Sequence, residues 1–107
     1  VTNYSRGWEK LHLAVHTLAG TGTQKERLVD AVAYNLIHII PDKDLPEELH
    51  DEFTEFKHKI TSVPAKGNEG SIQATVNTLA ESDVGQFVKE IISFYDTVCR
   101  HREPHGN

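Results

Sequence analysis

From Asp83 to Arg100 an apolar residue recurs every three or four positions, and that period constrains the fold more than any other feature of the chain. Val84, Phe87, Val88, Ile91, Ile92, Phe94, Tyr95, Val98 and Cys99 fall on one face of a helix, and Gln86, Lys89, Glu90, Ser93, Asp96 and Thr97 on the other. Such a face must be covered by other apolar faces. The rest of the chain offers them at the same spacing, and its β-branched residues also sit at helical rather than alternating positions.

Punctuation between these runs sets the expected boundaries. Ser5 is placed to cap a first helix to about Ala19, with Trp8, Leu11, Val15 and Leu18 on one stripe and Gly20 ending it. Thr23-Gln24-Lys25-Glu26 reads as a capping box opening a second helix that Pro41 stops at about Ile40. Its apolar residues cover roughly half the circumference, so it is expected to lie centrally. A third helix starts near Asp44 and carries the stripe Leu49, Phe53, Phe56 and Ile60. A short fourth holds Ile72, Val76 and Leu79, and the fifth is capped by Ser82 and ends at about Arg100. Short connections favour antiparallel neighbours, so the expected fold is all-α: an antiparallel helical bundle of four main helices plus one short helix. Residues 1–100 form one domain, and His101 to Asn107 read as a flexible tail.

Composition excludes several classes. At 107 residues, 37% hydrophobic and 25% charged, the chain matches a single globular domain, and no run approaches the ~20 apolar residues of a membrane span. A net charge of -5 is the wrong sign for gaining affinity by neutralising phosphates, so direct nucleic-acid binding is disfavoured. One cysteine, Cys99, with no CxxC and no zinc spacing, suits a reducing compartment. Val1 to Trp8 lack a secretory pattern, and a cytoplasmic location is expected. Cys99 itself is expected to be a buried small hydrophobe on the last helix.

Three Glu-x-x-His pairs, Glu9/His12, Glu47/His50 and Glu55/His58, have the spacing with which di-iron bundles converge two ligands on one metal. In such bundles the ligands point inward, whereas His50 projects roughly 90° and His58 roughly 170° from the centre of their apolar stripe. Glu9, His12 and His16 fall within roughly 60° of arc on the first helix, and an i, i+4 histidine pair can chelate zinc or copper. They are the metal candidates of the chain, although no cofactor is required by the sequence. Leu13 and Ile37 project away from the main stripes of their helices and hint at a second contact surface.

Arg6-Gly-Trp-Glu-Lys-Leu-His12 resembles, in the spacing of its arginine and histidine, the short motif of the HEPN ribonucleases, which are small helical bundles. That resemblance implies a ribonuclease in which Arg6 and His12 act at phosphate; Gly7 stands where the family often has a polar residue. Glu26-Arg27-Leu28 with Ala31, Asp44-Leu45-Pro46 and Glu48-Leu49 resemble segments of short conserved-hypothetical bacterial all-helical proteins. This second resemblance covers most of the chain and implies a bacterial cytoplasmic origin, with no site residues attached to it.

The densest charge lies between Asp42 and Phe56, where Asp42, Asp44, Glu47, Glu48, Asp51, Glu52 and Glu55 face only Lys43. Asp44, Glu47 and Glu48 complement the positive end of a helix, but the remainder exceeds what capping needs and suits attraction of a basic protein. The expected function is therefore a small acidic protein-binding module, of accessory or immunity type. It contacts its partner through Glu47, Glu48, Asp51, Glu52 and Glu55 or through surplus apolar surface. The competing class is an enzyme, a metal-dependent hydrolase on Glu9, His12 and His16 or a ribonuclease on Arg6 and His12. The wide apolar arcs of the second and fifth helices further suggest a symmetric homodimer.

Overall fold

Thr23 opens the second helix as its sequence predicts. Its hydroxyl accepts the Glu26 amide at 3.1 Å, and the Glu26 carboxylate accepts the Thr23 amide at 2.9 Å. The Thr23 amide first, and the Thr23 hydroxyl after it, hold the Glu26 carboxyl below its ordinary range. The computed structural model describes residues 4–102, so the tail residues 103–107 lie outside the described residues. The described chain is all-helical, with no strand: α1 (Ser5–Leu18), α2 (Gln24–Tyr34), α3 (Pro41–Asp44), α4 (His50–Ile60), α5 (Gly70–Asn77) and α6 (Glu81–Arg100). Leu36–His38 and Glu47–Leu49 form 3-10 turns. No helix among the described residues is long and apolar enough to cross a membrane.

α1 packs along both α2 and α6, and α5 lies against α2 and α4. Leu11 and Ala14 of α1, Leu28 and Val32 of α2, Phe53 and Ile60 of α4, Val76 of α5 and Ile91 and Val98 of α6 fill one continuous core. Arg27 closes the α1–α2 turn by donating to the carbonyl of Leu18 at 2.8 Å, which the end of α1 leaves without a helical partner, and to that of Gly22 in the turn.

Three boundaries differ from the sequence reading. The second helix ends at Tyr34 rather than near Ile40, and side chains claim the backbone beyond it, one of them from far away in sequence. Arg6 donates to the His38 carbonyl at 3.0 Å, and the Asp44 carboxylate accepts the Ile40 amide at 2.7 Å. Ile40 precedes a proline and is extended, with φ -110 and ψ 105. The broad apolar arc assigned to one central helix is thus split, and Leu36 and Ile39 reach the core from a turn and an extended link. The third helix starts at His50, since Asp44 closes the short α3 instead of capping α4. The last helix starts at Glu81, with Ala80 rather than Ser82 at its cap and no side-chain cap bond; Glu81 and Asp83 complement its dipole.

Candidate functional site

Four phenylalanines decide how α4 sits on α6. Phe56 meets Phe87 and Phe94 edge to face, with ring centroids 5.3 and 5.6 Å away, and Phe53 meets Phe94 at 5.7 Å. Edge-to-face contact is the favoured aromatic geometry, and rings of this bulk hold the two helix backbones apart. Above the rings a groove of about 260 Å³ remains, floored by Phe56 and Phe94 and rimmed by Glu52, Glu55, Lys59, Lys89, Glu90 and Ser93.

A second groove, of about 310 Å³, continues toward α5 over Val63, Leu79 and Phe87 and shares Lys59, Gln86 and Glu90 with the first. Its far wall is held by Thr75, whose buried hydroxyl accepts the Val63 amide at 2.9 Å and donates to the Ser71 carbonyl at 2.7 Å. The two grooves form one trough, aromatic at one end and mixed aliphatic and polar at the other.

Carboxylates dominate the rim. Glu52, Glu55, Glu90 and Asp83 outnumber Lys59 and Lys89. Burial, and after it the neighbouring Glu55 and Glu52, push the Glu90 carboxyl above the ordinary glutamate range against the pull of Lys59. Lys59 donates to Glu55 at 3.0 Å, and that bond, with the charges of Glu55 and Glu90, raises its ammonium above the usual lysine range. The strip holds more negative charge than its own lysines balance.

Of the five carboxylates that the sequence nominates for a partner, Glu52 and Glu55 stand on this rim. Glu48 accepts a hydrogen bond from His101 that ties the start of α4 to the end of α6. Glu47 and Asp51 are exposed and line neither groove. Sequence reading missed Lys89, Glu90 and Ser93, which it placed on a solvated face of the last helix. Their i, i+1 and i+4 spacing shows that they share a flank, but only the pairing of α6 with α4 shows what the flank meets.

The first-helix candidates are held in a different cluster. Trp8 stacks on His12, with ring centroids 4.6 Å apart and planes at 16°, and His12 Nδ1 lies 3.3 Å from the Tyr95 hydroxyl. His16 follows at 4.4 Å from the His12 ring, so the structure brings the two histidines together. Among the described residues, however, no group of three or more His, Cys, Asp or Glu side chains is placed to hold a metal ion, and Glu9 does not complete one. Burial first, then a hydrogen bond with Cys99, raise the Tyr95 phenol above its usual range, while Trp8 and Arg102 pull it down.

Arg6 is engaged elsewhere. It pairs with Asp44, whose side chain is only 3% exposed, as well as bonding the His38 carbonyl. Six positions along a helix turn Arg6 and His12 about 120° apart, and each holds its own partners. Cys99 is exposed, a correction to its expected burial: the buried row of α6 is Val84, Phe87, Ile91, Phe94 and Val98, and Cys99 projects about 100° beyond Val98. His101 and Arg102, assigned to the tail by sequence, hold contacts here, His101 with Tyr4 and Glu48, and Arg102 over the Trp8 ring at 4.4 Å.

Comparison with protein-family models, with curated proteins and with solved structures finds no match to this chain.

Proposed function

We propose that the chain is a protein-binding module that receives a basic, amphipathic segment of its partner in the trough between α4, α5 and α6, with the helices serving as an antiparallel bundle scaffold. The observation that supports this reading is the rim of Glu52, Glu55 and Glu90 over the Phe56–Phe94 floor. Burial raises the Glu90 carboxyl, with Glu55 and Glu52 adding to it against the pull of Lys59, and a lysine or arginine set among these carboxylates offsets that cost. The aromatic floor favours a cation with an aliphatic stem, and the groove beside Val63, Leu79 and Phe87 accepts the apolar residues of the same segment.

Fluorescence anisotropy with a labelled leucine–lysine amphipathic helical peptide tests the reading, with the leucine–glutamate counterpart as control. The lysine peptide binds and the glutamate peptide does not. The double variant Glu52→Lys/Glu55→Lys weakens binding by at least about tenfold, or ~1.4 kcal/mol. Glu47→Lys/Asp51→Lys, off the trough, changes it by less than about threefold, as rim charges do. Equal binding of the two peptides, or equal losses in the two double variants, overturns the trough as the site.

A further inference from the structure

On the side of α6 turned away from the trough, a row of apolar residues is only partly covered. Val88 and Tyr95 are half-buried, Ile92 is 49% exposed and Cys99 is exposed, although all four continue the apolar face that the core uses. Gly85 stands at the head of this row, and a Cβ built there meets nothing within 4 Å, so no side chain at that point holds an approaching helix off. α1 borders the row with Trp8 and the His12 ring, both of which meet Tyr95. Trp8 stacks on His12, His12 reaches Tyr95, and Arg102 lies over the Trp8 ring.

The charges beside the row indicate what covers it. Lys89 and Asp96 lie seven positions apart, hence on the same flank of α6, and symmetrically about Ile92 and Ser93. Asp96 is fixed there by Arg100, which also bonds Thr97 at 3.1 Å. When two helices pack antiparallel across a two-fold axis, the same flank of each meets the other, so an axis at Ile92 sets Lys89 of one copy against Asp96 of the second, twice over. A partner of uniform charge would gain at one of these residues and lose at the other. We propose that this α6–α1 face pairs with the same face of a second copy of the chain, the two α6 helices running antiparallel with their crossing at Ile92. The pairing draws Lys89 from the rim of each trough toward the second copy and leaves the carboxylates of that rim, Glu52, Glu55 and Glu90, to a bivalent target.

Sedimentation equilibrium of the chain alone, without peptide, tests the pairing independently of the trough. The wild type has twice the chain mass at tens of micromolar. Ile92→Arg, at a position already half open to water, keeps its circular dichroism and unfolding midpoint and sediments as a single chain. Lys89→Asp weakens the dimer by at least about tenfold, and adding Asp96→Lys restores it, since the swapped charges pair again. A wild type of single-chain mass that does not rise with concentration overturns the proposal. So does an Ile92→Arg variant that stays dimeric, and a Lys89→Asp/Asp96→Lys pair no tighter than Lys89→Asp alone moves the interface off α6.

Discussion

The contact of α1 with α3 and the contact of α4 with α6 are built from opposite materials. At the first, Gly7 lets two backbones touch: a Cβ at that position would stand 2.0 Å from the Asp44 carbonyl oxygen. Arg6 beside it pairs with the buried Asp44 carboxylate, so the charge at this corner is consumed in closing it. At the second, Phe53, Phe56, Phe87 and Phe94 hold the helices apart, and the charge above them is left in surplus. Charged residues in a chain of this kind therefore sort by what their carboxylates and guanidinium groups already hold. Arg6, which carries a catalytic-looking spacing, is held by Asp44 and the His38 carbonyl, whereas Glu90, which looks like an ordinary surface glutamate, borders open space.

Breaking the aromatic contact should have the largest effect. Phe94→Ala removes a ring that is 3% exposed and touches both Phe53 and Phe56, and it should cost roughly 3–5 kcal/mol in urea unfolding. A loss below about 1 kcal/mol would show that the rings do not set the α4–α6 spacing. Gly7→Ala comes next, at roughly 1–3 kcal/mol, because the atoms in its way are backbone and cannot swing aside. The measurement is again the unfolding midpoint, and a neutral Gly7→Ala would mean that α1 and α3 can slide apart freely.

Glu90→Gln should have the smallest effect and the opposite sign. A carboxyl whose folded pKa lies above its unfolded value holds its proton more tightly in the folded chain. The stabilisation it gives is therefore present at acid pH and lost as pH rises through the folded pKa. Glu90→Gln should raise the melting temperature modestly at pH 7 and leave it unchanged below the ordinary glutamate range. A melting temperature lowered at pH 7 would show instead that the Glu90 carboxylate is held favourably by Lys59.

Local signals were the legible part of the fold. The Thr23–Glu26 capping box and the amphipathic period of α6 each depend on residues within a turn or two of one another, and each stands where its sequence puts it, whereas Ser5 is the first residue of α1 and Tyr4, not Ser5, stands at its cap. The end of α2 was not legible, because Leu36 to Ile40 keep a helical apolar pattern while Arg6, distant in sequence, takes the His38 carbonyl and Asp44, four residues on, takes the Ile40 amide. Gly7 was read only as a departure from a motif, since close approach of another backbone leaves no mark in its own neighbourhood. At the trough, α4 supplied half of the rim from its charge density alone. The half from α6 stayed hidden because a polar helix face looks the same whether it meets water or an aromatic-floored groove.

The trough, not the close-packed corner, is the proposed meeting place of this chain with a basic partner. Amide chemical-shift mapping of the isotope-labelled chain during titration with the leucine–lysine peptide is the sharpest test of that placement. Shifts are expected to concentrate at Glu52, Glu55, Phe56, Lys59, Gln86, Glu90 and Ser93, with Arg6, Gly7 and Asp44 unmoved. Shifts centred on α1 and α3, or none on α4 and α6 at peptide concentrations that saturate the anisotropy signal, would overturn it.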